Sequence, residues 1–321
     1  MGFSLEVKVY NFLKPLRGKK FLLAVSGGRD SMALLKVFEA LAPKLQIQFT
    51  VGHVHHGASD NKNQFTFRNR CFEYLKKHCQ SRKIPFVSNI DQLADVQGLQ
   101  PLKDSEAEHR RYRQVCFKAF DKYSPFDFIV FAHHQEDLFE TRLIRMLRGT
   151  GPQGLVAMSL QKGRVLRPFL HTSKIELSAY LGDSGYFEDP SNTSTHYLRN
   201  WLRKTWLPLL EKKRPGSVSR LQQSLSLCLE ALQTVPSLDF CFDDKMQVLR
   251  SEYTGLSNAE KKRVWAQYLK QKGVKNYGLS HINELVKRLD VEQKDLTFIL
   301  LKKRWLANAR HIWCESKNAL E

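Results

Sequence analysis

Cysteine is scarce and scattered in this sequence. The 321 residues hold six, at Cys71, Cys79, Cys116, Cys228, Cys241 and Cys314, with no CxxC pair and no dense framework. That spacing argues against a zinc knuckle or a disulfide scaffold and fits the reduced thiols of a cytosolic protein. No apolar run approaches the roughly 20 residues needed to cross a bilayer. The start, MGFSLEVKVYNFLKPLRGKK, lacks the continuous apolar stretch of a secretory leader. A cytoplasmic location with no membrane partner is therefore expected. Internal repeats and low-complexity tracts are missing as well. So is the pattern GxxxxGK[ST], which sets aside the P-loop of γ-phosphate-transferring NTPases.

Acidic residues are also in short supply. Lys and Arg number 51 against 32 Asp and Glu, a net charge of +19, with a pI near 9.7. Such a field attracts polyanions: RNA, DNA or an anionic membrane surface. Residues 216–321 carry 17 basic and 12 acidic residues, so most of the excess lies in 1–215. At 42% hydrophobic residues the chain can bury a sizeable core. Its length suggests two domains.

What is present reads as an α/β protein. Short apolar runs at Phe21–Val25, Ile47–Val54, Ile84–Ile90 and Phe126–Ala132 predict strands. Helical patterns near Asp30–Leu41, Phe65–Arg82 and Asp104–Lys122 separate them. Strands alternating with helices of this length imply a doubly wound, mostly parallel sheet with ligands at the carboxyl ends of its strands. Further helices are expected at Glu136–Arg148, Ser173–Leu181 and His196–Leu207. Pro208, Pro215 and Gly216 mark the expected boundary between a catalytic domain, 1–215, and a smaller, mainly helical α+β domain, 216–321. In the latter, Val218, Leu221, Leu225, Leu229 and Leu232 recur at helical spacing, and Ser257-x-x-Glu260 is a capping-box candidate.

The strongest local signal is Ser26-Gly27-Gly28-Arg29-Asp30-Ser31, directly after one predicted strand and directly before a helix. Glycines let the backbone approach a phosphate, the helix N-terminus aims N–H groups at it, and the serines add hydroxyl donors. Asp30 suits such company only with a cation between, so Mg²⁺ is implied. On the helix at 136–148, Asp137 and Glu140 share an edge and could hold an ammonium group or a metal; a solvated acidic first turn is the other reading. Glu140 and Arg145 are too far round the helix to pair, which leaves Glu140 for a ligand. His53, His55, His56, His133 and His134 are better read as core or RNA-contacting than as zinc ligands. Arg110, Arg111, Tyr112, Arg113 and Arg199–Trp201 mix basic and aromatic groups as single-stranded RNA sites do. Lys302-Lys303-Arg304 beside Trp305 reads more simply as a solvated turn.

The motifs together resemble the tRNA(Ile)-lysidine synthetase family of PP-loop ATP pyrophosphatases. SGGRDS is similar to the family's SGGxDS. His53-Val-His-His-Gly-Ala-Ser59 resembles HVNHGLR, and Ala132-His-His-Gln-Glu-Asp137-Leu-Phe-Glu140-Thr141 resembles AHHxDDQxET. Arg145 through Leu155 resembles RLxRGxGxxGL. Ser105-Glu106-Ala107 with Arg110 and Arg113, Arg167-Pro-Phe-Leu170, and Asp189-Pro-Ser-Asn192 with Arg199-Asn200-x-x-Arg203 complete the series. The resemblance spans roughly residues 20–210, with Glu136, Leu138, Ser59 and Gln114 departing from the family pattern.

It implies a ligase that adenylates the wobble cytidine of an isoleucine tRNA with a CAU anticodon, using ATP and Mg²⁺, and then joins free L-lysine to it. ATP would be bound by Ser26, Gly27, Gly28, Arg29, Asp30, Ser31, His53 and His133, with Asp30 on Mg²⁺. The implied catalytic set is Asp30, Asp137, Glu140 and Arg203, with Asp137 and Glu140 positioning lysine. Arg110, Arg113, Arg148 and Arg199 would contact the RNA. A homodimer stays open. The alternative is an ATP-dependent tRNA thiolase of the same fold, which the absence of CxxC disfavours.

Overall fold

A computed structural model of the chain describes residues 2–57, 62–91, 106–183, 185–190, 197–233, 240, 242–274, 277–290 and 295–316. It divides into two compact units: Met1–Thr141 with Ala157–Val218, and Arg142–Val156 with Ser219–Glu321.

In the first unit, Phe21, Leu22 and Leu23 form the middle of β1 (Lys20–Ala24), and all three are buried. A strand covered on both faces reads as a continuous apolar run rather than an alternating one. β1 pairs in parallel with β2 (Gln48–His53) on one side and β4 (Phe128–Val130) on the other. With β3 (Phe86–Ser88), β6 (Val165–Leu166) and the antiparallel edge strand β5 (Gln161–Lys162), the order is β3-β2-β1-β4-β6-β5. The doubly wound, mostly parallel sheet expected from the sequence is thus what the chain forms. Strand order reverses between β1 and β4, so their carboxyl ends frame the crevice where such folds bind ligands.

The helices serve that crevice. α1 (Gly2–Leu13) packs on α2 (Arg29–Leu45), whose Met32, Leu35 and Phe38 join β1 in the main core. α3 is Lys62–Ser81. On α4 (Glu106–Tyr123), Tyr112, Cys116 and Phe120 bury against Leu22 and Val87. α5 (Gln135–Leu147) follows β4. All four predicted strands run past the observed ones. Val54, Phe126 and Phe131 continue the apolar runs but leave the strand ladder to pack on the α4 cluster, so their hydrophobicity marks core and not strand. α7 (Lys174–Leu181) is opened by a capping box between Ser173 and Glu176. The helical run from α8 (Leu198–Trp201) to α9 (Leu207–Lys213) passes through a π-helical turn at Leu202–Trp206.

The second unit has helices α6 (Pro152–Leu155), α10 (Ser217–Gln233), which starts in the first unit, α11 (Arg250–Thr254), α12 (Asn258–Gln271) and α13 (Leu279–Leu289). The Ser257–Glu260 capping box opens α12. An antiparallel sheet completes it, in the order β7 (Val248–Leu249), β10 (His311–Ser316), β9 (Lys303–Ala307), β8 (Leu296–Leu300). Trp265, Tyr268 and Trp305 are fully buried at its centre. Trp305 is therefore unavailable for stacking on a base. Leu301 and Lys302, both at positive φ, make the β8–β9 turn. The unit also takes residues 142–156, placed with the first domain on sequence grounds. Leu279 N–H donates to Gly149 O at 2.8 Å, and Arg142 reaches Ser226 Oγ at 3.4 Å.

Candidate active site

The Ser26–Ser31 turn is built to hold its own shape. Gly27 sits at φ +90°, a conformation side chains resist, and a Cβ there would lie 3.0 Å from Cys71 Sγ. Ser31 Oγ donates to Gly28 O at 2.8 Å and accepts from Ser26 N–H at 3.2 Å; the two hydroxyls are 3.2 Å apart. The first α2 hydrogen bond runs from Met32 N–H to Gly28 O at 3.0 Å. The N–H groups ahead of it are not used by the helix, and they lie at the positive end of its dipole. Phe187 N–H donates to Gly27 O at 3.0 Å and ties the turn to residues 185–190.

Arg29 points elsewhere than at a phosphate. Its guanidinium donates to Ser178 Oγ, Tyr186 Oη and Glu188 Oε1 and stacks on the Tyr186 ring. It anchors the Ser26–Ser31 turn.

Asp30 lies at the centre of a charged cluster. Its Oδ2 is 3.5 Å from His134 Nε2, while Oδ1 is buried and meets no hydrogen-bond partner among the described residues. The buried His134 ring is bracketed by acceptors: Glu136 Oε2 at 2.9 Å from Nδ1, and Asp137 Oδ2 at 3.4 Å from Nε2. Both ring nitrogens therefore need protons. Burial lowers the imidazole, but hydrogen bonds to Asp30 and Glu136 and the Asp137 charge outweigh it and raise the pKa to about 10. Burial likewise raises Asp30, yet His134, Lys174 and Arg203 hold it below the ordinary carboxylate range. Glu136 also accepts the Lys174 N–H at the start of α7, at 3.0 and 3.1 Å. His134 was read above only as a core or RNA-contacting histidine; two histidines beside two acids were the signal for this charged cluster.

Glu140, expected to stay unpaired on its own helix, is engaged by arginine. Arg203 grips it bidentately, Nε to Oε1 at 2.6 Å and Nη2 to Oε2 at 2.9 Å, with Arg199 Nε at 3.6 Å. The π-helical turn carries Arg203 one turn beyond Arg199, a partner invisible from α5 alone. Glu140 is 2% exposed. Burial raises its carboxyl against the lowering influence of Arg203. Asp137 Oδ1 makes only a long contact, 3.5 Å to Arg203 Nη2.

A cavity of about 240 Å³ opens between the β1 and β4 ends. Ser26, Gly28, Asp30, Ser31, Val54, His56, Arg113, Phe117, Phe131 and His133 are among its walls. His133 stacks on Phe131 (centroids 5.5 Å) and burial lowers its pKa to about 4, so it enters neutral. His53 is beneath the turn and not in the wall. Its Nδ1–H donates to Val25 O at 2.9 Å, and burial lowers it to about 4. His55 accepts from Gly57 N–H and donates to Asn69 Oδ1 at 2.9 Å. Asn89 braces the same loop through His55 N–H and O.

Of the RNA candidates, Arg110, Arg113 and Arg199 belong to the first unit and Arg148 to the second. Arg110, Arg113 and Arg148 are exposed. Arg199 donates to Thr141 Oγ1 at 2.8 Å. Tyr112, read above as a stacking platform, is buried and accepts from Asn89 Nδ2 at 2.8 Å. Ser59, Ser105 and Asn192 lie outside the described residues, as do the side chains of Glu106 and Ala107.

Comparison with known proteins agrees with this geometry. A family model described as the PP-loop domain matches residues 1–210. The tRNA(Ile)-lysidine synthase of Bdellovibrio bacteriovorus is 38% identical over 322 residues, 98% of each chain. That of Vibrio vulnificus YJ016 is 33% identical over 217 residues, 66% of this chain and 47% of the relative. The chain thus spans nearly all of one relative and about half of another. Among solved structures, the U34-tRNA thiolase NcsA of Methanococcus maripaludis shares the fold, with TM-score 0.53 and 17% identity over 71% of this chain and 79% of that one. The chain belongs to the tRNA(Ile)-lysidine synthase family and is an ATP-dependent ligase of the PP-loop type that acts in tRNA modification.

Proposed function

We propose that this enzyme forms lysidine. ATP would adenylate the 2-oxygen of the wobble cytidine in an isoleucine tRNA with a CAU anticodon, releasing pyrophosphate. The ε-amino group of free L-lysine would then attack the activated carbon and displace AMP. Adenylation turns a poor leaving oxygen into a good one and splits one hard step into two. A cytoplasmic setting goes with this reading.

The observation that carries it is Asp30 Oδ1, a buried carboxylate oxygen with no hydrogen-bond partner among the described residues, in the wall of a cavity that shares the glycine turn. That oxygen fits Mg²⁺, which when bound would neutralise charge on the ATP phosphates. Gly27, Gly28 and Ser31 would receive the pyrophosphate on backbone N–H groups, and Ser26 on its hydroxyl. His134, held between carboxylates, fixes Asp30 and Asp137 relative to each other. Asp137 and Glu140 would receive the lysine ammonium, with Asp137 Oδ1 the less engaged oxygen and Arg203 setting the carboxylate spacing.

The buried Cys71, Cys79 and Cys116 do not favour sulfur transfer. Burial raises Cys71 and Cys79 to about 12 and Cys116 to about 11, which keeps them as thiols. The test is incorporation of labelled lysine into that tRNA. Dependence on ATP and on cytidine at the wobble position is expected, from an iron-free, colourless protein. Incorporation of sulfur in place of lysine would transfer the enzyme to the thiolase reading.

A further inference from the structure

Arg167 has no part in the site so far. It follows β6 directly, and β6 is the strand next to β4: Val130 pairs with Leu166, and Phe131 N–H donates to Leu166 O at 3.0 Å. Arg167 therefore starts level with Phe131, two residues before His133, on the carboxyl edge where the crevice lies. Its backbone is fixed by the Leu160 carbonyl at 2.8 Å, and Nη1 donates to Ser159 O at 3.1 Å. The side chain is half-buried, and its Nε is buried with no acceptor among the described residues.

The charges around it have the wrong sign for a structural arginine. Burial first, and then Arg110 among the described residues, pull the guanidinium below its ordinary range. Arg167 in turn acts on His133, as do Arg113 and Arg199. A half-buried cation among cations, with one donor unmet, is costly unless an anion completes it.

We propose that Arg167 is a further substrate-binding residue, which receives a phosphodiester oxygen of the RNA beside the nucleotide being modified. This rests on the tRNA substrate proposed above. The ATP phosphates are claimed by the turn after β1, and the order β1-β4-β6 puts Arg167 two strands away, about 10 Å at the usual strand spacing. That separation suits a neighbouring nucleotide better than ATP. The planar fork of arginine matches phosphate oxygens, and the Ser159 carbonyl on Nη1 holds the fork in place while leaving Nη2 for the ligand.

The experiment measures binding of the CAU-anticodon tRNA(Ile) transcript against salt concentration, without ATP or lysine, for wild type, Arg167→Gln and Arg167→Lys. ATP affinity and melting temperature are followed in parallel. Arg167→Gln should bind tRNA about tenfold more weakly at 0.1 M-range salt, with a log–log salt slope shallower by about one. Arg167→Lys should regain part of the affinity and most of the slope. ATP affinity and melting temperature should match wild type in both. Wild-type affinity and slope in Arg167→Gln would overturn the proposal. So would a parallel loss of ATP affinity or of melting temperature, which would mark a structural tether. A defect seen with cytidine at the wobble position but not with uridine would assign Arg167 to the base and equally overturn it. Failure of wild type to bind this tRNA would instead count against the lysidine reading itself, and no variant is needed to see that.

Discussion

At the amino edge of the six-stranded sheet the surface is hollowed by about 650 Å³ around Glu39, Pro43, Gln46, Ile47 and Phe49, and by about 470 Å³ around Lys20, Thr50, Pro85 and Phe126. At the carboxyl edge the cavity is only about 240 Å³. Room is therefore not what makes the site. At the amino edge α2 ends, at Leu45, so carbonyls and the negative end of its dipole face that hollow. At the carboxyl edge α2 begins, with N–H groups outward and Asp30 in its first turn. One helix thus favours anions at one edge and disfavours them at the other. The charged partners, His134, Glu136, Asp137, Glu140 and Arg203, all gather at the carboxyl edge.

The largest effect expected from breaking this asymmetry is at Asp30. Asp30→Asn keeps the shape and the His134 contact but removes the charge that would hold a cation on the phosphates. Pyrophosphate release should fall by on the order of 10²–10³-fold, with the far-ultraviolet circular dichroism of wild type. Normal release at saturating Mg²⁺ would show that the edge works without this carboxylate. Next comes Glu140→Gln, which leaves Arg203 facing a neutral amide. Losing a charge-assisted hydrogen bond costs about 1.5–3 kcal/mol. Lysine KM should therefore rise by roughly 10–100-fold, with tRNA adenylation retained. An equal loss of ATP affinity with lysine KM unchanged would assign the carboxylates to the metal.

A smaller and graded effect follows from pH. His134 is raised to about 10 from an ordinary 6.5, so the folded state holds its proton more tightly than the unfolded chain. The stability this supplies is whole below about pH 6.5 and is lost as pH climbs through 10. Asp30 and Glu136 are lowered from 3.8 and 4.5, so their share is present above those values and lost on acidification. The melting temperature of wild type should decline from pH 7 to 10, and that of His134→Gln should decline less. Parallel curves would mean that the imidazole is not the group titrating.

How much of this was legible in the sequence depends on the range of each interaction. Phe21–Leu23, Gly27 and Ser31 act within a few residues, so β1, the turn and the α2 start could be read directly. The Glu140–Arg203 pair spans 63 residues, and the π-helical turn that presents Arg203 has no periodic signature. Tyr112 has the composition of a stacking platform, but its burial depends on Asn89, which arrives from another strand end. The loop at 149–154 reads as part of the PP-loop motif series, yet its backbone is held by α13, far along the chain. The small sheet was hidden because Lys303 and Arg304 interrupt the apolar pattern of β9, and only its register with β8 and β10 shows Trp305 to be core.

The smallest effect is expected at the amino edge, and it should be a gain. Gln46 caps the C-terminus of α2 in the left-handed region, at φ +53° and ψ +41°, and its N–H donates to Ala42 O. Helices commonly end with a residue in this conformation, and glycine is preferred there because it carries no Cβ to clash. Gln46→Gly removes that strain at a site with only a weak side-chain contact, Arg17 Nη2 to Gln46 Oε1 at 3.4 Å. It also makes the unfolded chain more flexible, which offsets part of the gain. The net should be a stabilisation of about 0.5 kcal/mol, within the range such cap replacements reach. ATP affinity, lysine KM and tRNA affinity should be unchanged, because the residue lies at the opposite edge from the crevice. Denaturant titration and steady-state kinetics on the same preparation make the check. A change in ATP affinity would mean that the two ends of α2 are coupled, and the contrast between the edges would then be one of degree.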